Sequence, residues 1–76
     1  MIVVNGTEKP MLLILEPYAH EYQILPGQSV TVVGSSPDDF ETVEKESDGL
    51  RIWAKCEMDV WLDGKILRPF HFKSTA

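Results

Sequence analysis

From Leu50 to Leu62 the chain alternates without a miss. Leu50, Ile52, Ala54, Cys56, Met58, Val60 and Leu62 hold every second place, and Arg51, Trp53, Lys55, Glu57, Asp59 and Trp61 hold the others. Strand side chains point to opposite faces with a period of two, so this spacing writes one dry face and one wet face. A helix would scatter the same residues around its circumference. The run is thirteen residues long, beyond the usual strand of about 3–10 residues. A bend or bulge is therefore expected near Lys55 to Glu57, where the strand would switch sheets.

Turn signals frame this run. Asp63-Gly64 follows it, and both central positions of a type I′ hairpin need positive φ, which Asp and Gly tolerate. That turn sets Leu62 opposite Lys65, Trp61 opposite Ile66, Val60 opposite Leu67 and Asp59 opposite Arg68. Asp48-Gly49 marks an earlier hairpin joining Phe40–Glu46 to Leu50–Cys56. Two registers are open there: Glu46 opposite Arg51 with a two-residue loop, or opposite Leu50 with Gly49 as a bulge. Asn5-Gly6, Pro26-Gly27 and Gly34-Ser35-Ser36-Pro37 punctuate the rest.

Met11 to Leu15 is unbroken apolar, which reads as a strand covered on both faces or lying in an interface. Tyr22, Ile24, Val30 and Val32 alternate around Pro26-Gly27. Seven Val, five Ile and four Thr stand against three Ala, a balance that favours strands. No segment repeats apolar residues at helical spacing over three turns. The expected fold is all-β, a small antiparallel sandwich or partly open, jelly-roll-like barrel of about seven short strands. Residues 1–76 make a single domain. A chain this short hides only about 60% of its unfolded surface, so its core is marginal.

The segments Asn5-Gly6-Thr7-Glu8-Lys9-Pro10, Met11 to Leu15, Glu16-Pro17, Tyr22 and Leu25-Pro26-Gly27 form a pattern. It resembles short uncharacterised bacterial all-β proteins that begin with a strand, an Asn-x-Thr-x-x-Pro turn, an apolar strand and a Glu-Pro corner. The likeness covers about the first 33 residues and implies no activity. His20 to Gly27 is also similar to half of the first cupin motif, which would imply a jelly roll with a metal in its mouth. That motif needs two histidines one residue apart and then a glutamate, whereas this chain has His20 beside Glu21. A cupin-like shape is compatible with the gap; a cupin metal site is not.

The chemistry available is narrow. First-row metals need three or four convergent ligands. The hairpin register brings His71 opposite Cys56, but no third group orients them. No metal or other cofactor is expected. The segment Asp38 to Asp48 holds six acids against one base, the whole of the chain's net charge of −5. Acids alternating along a strand do not converge as a glycosidase pair must, and their spacing is not that of a calcium loop. They read as a solvated edge strand that repels other edges. A docking face for a basic partner at Asp38, Asp39, Glu41, Glu44 and Glu46 is the alternative. No phosphate loop or nucleophile elbow appears, so an enzyme is not expected. A pI near 4.8 disfavours nucleic acid. Asn5-Gly6-Thr7 matches the N-glycosylation pattern but reads here as a turn.

Compartment follows from what the sequence lacks. The opening Met1 to Gly6 has neither a basic stretch nor a long apolar one, and no apolar run nears the roughly 20 residues of a membrane helix. With Cys56 the one cysteine, a cytoplasmic protein without a membrane partner is expected.

What remains is surface. The last hairpin puts Trp61, Ile66, Phe70 and Phe72 on one outer face, with Trp53 further up the same long strand. Such a face is expected to be covered, by the chain's own N-terminal strands in the first instance or by another molecule. The leading functional expectation is a small non-catalytic β-module that binds protein, including itself as a homodimer. The alternative is a cupin-like or carbohydrate-binding pocket in which Tyr18, His20 and Tyr22 meet Trp53.

Overall fold

The computed structural model describes residues 1–69. It is all-β, with eight strands: β1 (Ile2–Val4), β2 (Met11–Glu16), β3 (His20–Ile24), β4 (Ser29–Val33), β5 (Phe40–Glu46), β6 (Gly49–Ala54), β7 (Asp59–Leu62) and β8 (Lys65–Leu67). A 3₁₀ turn over Pro37–Asp39 leads into β5. Two four-stranded sheets result. Sheet A runs β1-β4-β7-β8 and sheet B runs β3-β2-β6-β5. Leu13, Leu15, Tyr22, Ile24, Ile52 and Ala54 of sheet B pack with Val3, Val30, Val32, Met58 and Val60 of the other layer in one core. The architecture is a small sandwich.

The alternating run from Leu50 to Leu62 serves both sheets. β6 ends at Ala54 in sheet B and β7 begins at Asp59 in sheet A. The switch at Lys55–Met58 raises the strand number to eight. Asp39 ties the corner: its backbone carbonyl accepts from Lys55 N at 2.8 Å, and its carboxylate accepts from Ser36 N at 2.8 Å. Opposite the corner, β5 carries a register shift between Phe40 and Thr42 that leaves Glu41 without a partner across the ladder. A bulge bends and twists its strand, which lets the edge follow β6 into the turn.

The last hairpin has its expected form. Asp63 and Gly64 adopt φ of 52° and 78°, and Leu62–Lys65, Trp61–Ile66 and Val60–Leu67 are paired. The ladder stops there, one pair short of Asp59–Arg68. Pro26-Gly27 also turns as expected. Gly27 has φ of 82° and Gln28 N donates to Leu25 O at 3.0 Å.

The hairpin between β5 and β6 takes neither expected register. Ser47 and Asp48 form the turn, Glu46 faces Gly49, and Gly49 is the first residue of β6. Glycine stands there because β2 passes so close. A Cβ on Gly49 would lie 1.7 Å from the carbonyl oxygen of Leu12. β2 and β6 pair in parallel from Leu12–Gly49 to Glu16–Trp53, so the sandwich is not wholly antiparallel as expected. This central position explains the unbroken run in β2. Leu13 and Leu15 face the core, while Ile14, on the opposite face between Glu21 and Arg51, is also buried.

Gly49→Ala must push the β2 and β6 backbones apart. A loss of about 2 kcal/mol or more in unfolding free energy is expected, read as a lower urea midpoint with an unchanged slope.

Candidate functional site

Outward positions of sheet A align across the strands. Ile2 pairs with Thr31, Thr31 with Trp61, and Trp61 with Ile66, so these four form one row across all four strands. Ile2 is 68% exposed, Trp61 38% and Ile66 51%, with Val4 at 60% and Val33 at 45% beside the row. Sheet B packs against the other side of this sheet. The chain's own N-terminal strand therefore extends the apolar face instead of covering it, contrary to the first expectation. Phe70 and Phe72, placed on this face by the sequence pattern, lie outside the described residues, as does His71.

Sequence reasoning found Trp61 and Ile66 and missed Ile2, Val4 and Val33. A signal was present. In Ile2-Val3-Val4 and Val32-Val33, neighbouring strand residues must point opposite ways, so apolar side chains in these pairs had to face outward.

Trp53 belongs to a different surface. It lies on the outer face of sheet B, where its Nε1 donates to Glu44 Oε1 at 3.2 Å. Arg51 is the hub of that face. Its Nε donates to Glu46 at 2.8 Å and its Nη1 to Glu16, spanning β5, β6 and β2. Hydrogen bonding by Arg51 holds the Glu46 carboxyl below its ordinary value, and Glu46 foremost holds the guanidinium firmly protonated. These pairs are partly exposed, so each contributes little to stability; they fix side-chain positions.

The expected pocket of Tyr18, His20, Tyr22 and Trp53 is not assembled. Tyr18 and His20 stack with ring centroids 5.7 Å apart, beside the β2–β3 turn. Tyr22 is buried in the core between the sheets, whereas the register puts Trp53 on the opposite face of sheet B. Burial, and then the negative charges of Asp59 and Glu57, push the Tyr22 phenol above its ordinary value. Among the described residues no three His, Cys, Asp or Glu side chains converge as metal ligands, and no helix is long and apolar enough to cross a membrane.

No family model, curated protein or solved structure matches the chain.

Among the described residues, β5, which carries Glu41, Glu44 and Glu46 of the acidic stretch, is an edge strand of sheet B with no strand beyond it. β5 is exposed along its length from Glu41 onward. Asp39 stands apart from the row, with a structural role. A hydrogen bond from Cys56, and then those from the backbone of Ser36 and Ser35, hold its carboxyl below the ordinary value.

Beside β5, a cleft of about 550 Å³ opens between it and β1, with Val4, Met11 and Leu50 among its apolar walls and Thr7, Lys9 and Lys45 among its polar ones. Asn5 shapes this wall. It is fully buried. Its amide nitrogen donates to Lys9 O and Ile24 O, both at 2.8 Å, and its oxygen accepts from Thr7 N at 2.9 Å and Thr7 Oγ1 at 2.7 Å. An acceptor asparagine for a glycan must be accessible; this one is not.

Two outcomes follow. Asn5→Ala removes the side-chain partners of the Ile24 carbonyl and the Thr7 amide and leaves the Lys9 carbonyl with the Thr7 hydroxyl at 3.0 Å, and an unfolding free-energy loss of about 2–3 kcal/mol is expected from urea titration. Asp39, with its folded pKa depressed, adds stability above its unfolded pKa, and this is lost as pH falls through the folded value. Asp39→Asn should therefore flatten the acid limb of a plot of urea midpoint against pH and leave the neutral and alkaline slope unchanged.

Proposed function

We propose that this protein is a small non-catalytic β-module whose outer sheet A face binds protein, in the first place a second copy of itself. The observation that carries this reading is the exposed row Ile2–Thr31–Trp61–Ile66, extended by Val4 and Val33. Sheets need a second layer on any apolar face, and contiguous exposed apolar surface of this kind marks interfaces. Tryptophan at the centre of such a patch is a frequent anchor of binding energy. A flat face shared by both partners suits a twofold, isologous dimer, the commonest closed assembly.

Energetics point the same way. Apolar burial contributes about 25 cal/mol per Å², and a 76-residue chain has little core of its own to draw on. The net charge of −5 opposes association, but at physiological salt charges beyond about 8 Å are largely screened. Asp59 is the acid beside the row, paired with Val33. Its position at the side of the patch leaves the centre uncharged.

Sedimentation over a hundredfold concentration range should show a monomer–dimer equilibrium. The double variant Trp61→Lys, Ile66→Lys should stay monomeric throughout. Its unfolding free energy from urea titration at low concentration should match the wild type within about 0.5 kcal/mol, since both side chains are surface groups there. Wild-type protein that remains monomeric at high micromolar concentration would refute self-association.

A further inference from the structure

The free edge of β5 and the cleft beside it form a second surface, on separate elements from the sheet A patch. The two-residue turn Ser47-Asp48 makes Glu46–Gly49 a hydrogen-bonded pair, and antiparallel pairs alternate along the ladder. Glu44–Arg51 is then bonded, while Lys45–Leu50 and Val43–Ile52 are not. It follows that Val43 and Lys45 turn their backbone N–H and C=O groups away from β6, toward the open edge. Their side chains lie on the inner face of sheet B, yet Val43 is 47% exposed. Sheet A does not reach over this edge, and the cleft walled by Val4, Met11 and Leu50 opens there, with Lys45 at its rim.

We propose that this edge takes up an extended basic peptide as a ninth, antiparallel strand, one in which apolar and basic residues alternate. Backbone groups of Val43 and Lys45 would bind the strand. Apolar side chains would fall on the inner face, over Val43 and into the cleft. Basic side chains would fall on the outer face, beside Glu44 and Glu46. This is strand addition at a sheet edge, in which main-chain bonds supply affinity and alternate side chains supply selectivity. Charge decides the occupant. The stretch from Asp38 to Asp48 carries six acids against one base, so it attracts a basic strand. A second copy of β5 would set Glu44 and Glu46 against their own kind, and like charges directly opposite destabilise a pair. The proposal is independent of the dimer reading, because it uses neither Trp61 nor Ile66.

The test uses the full chain, ¹⁵N-labelled, and an octapeptide of alternating lysine and valine. In an antiparallel addition the peptide residues that bond to Val43 and Lys45 share their inner face, so the valine amides make the bonds. N-methylation of the valines should weaken binding about tenfold or more, as for the loss of two or more hydrogen bonds. N-methylation of the lysines should change it by less than about twofold, the residual expected where no bond is lost. Amide exchange should slow at Val43 and Lys45 when the peptide is bound. Val43→Pro removes one edge donor at a position where proline is tolerated, and it should weaken binding while leaving the circular dichroism spectrum intact. An octapeptide of alternating glutamate and valine should not bind. Equal affinity for both methylated peptides, or binding without slowed exchange at Val43 and Lys45, would overturn the proposal, leaving charge attraction alone. Absence of binding by the lysine–valine peptide would overturn it too.

Discussion

Both sheets converge on the side chain of Asn5. Among the described residues it is the one buried polar side chain, and all four hydrogen-bonding positions of its amide are occupied. Its backbone adds two more links, donating to Gln28 O and accepting from Gly27 N, each at 2.9 Å. One residue thus joins the end of β1, the loop leading to β2, the end of β3 and the turn into β4. Burying an amide without partners is costly, so the loop has few other ways to close around it. That loop forms one wall of the cleft beside β5. The shape of a surface feature therefore rests on a group with no exposure of its own.

The two outer faces treat tryptophan in opposite ways. Trp53 sits in a charged lattice, its ring nitrogen held by Glu44 next to the Arg51 pairs. Trp61 sits in a row with Ile2, Thr31 and Ile66. Both occupy the outward register of one alternating run, and the one hint of this divergence in the sequence is the excess length that announces a corner between them. The sheet switch between them separates their fates. One face ties its aromatic group to a carboxylate; the other adds it to an apolar patch.

Much of the architecture is legible from period and turn chemistry. Alternation from Leu50 to Leu62 announces a strand, its excess length announces the corner, and Asp63-Gly64 sets the final register. These signals are local, and local physics decides them. Three features escape. Gly49 looks like a turn glycine, but the contact that requires glycine comes from Leu12, thirty-seven positions earlier in the chain. The parallel pairing of β2 with β6 has the same long-range origin. Tyr22 alternates with Ile24 as a core residue should, and grouping it with Tyr18 and His20 overlooked that the same parity sends its ring inward. The apolar outer face was half legible: Trp61 and Ile66 follow from the hairpin, whereas Ile2 joins them only through the sheet order.

Sheet membership along the chain has a consequence for how the molecule comes together. In order, the eight strands belong to A, B, B, A, B, B, A and A. The chain crosses between layers four times, and β6 and β7 are two halves of one alternating run. Neither layer is a contiguous piece of polypeptide. Any piece of chain that holds all the strands of one layer also holds at least one strand of the other. Sheet B can be completed by β2 to β6 only with β4, a sheet A strand, looped out between its two hairpins. Assembly must close long loops before burial rewards it, which slows folding and makes it cooperative. Among the described strands, β1 and β8 are the edges of sheet A at the two ends of the chain order, so either can fray without drawing another strand out of the sandwich.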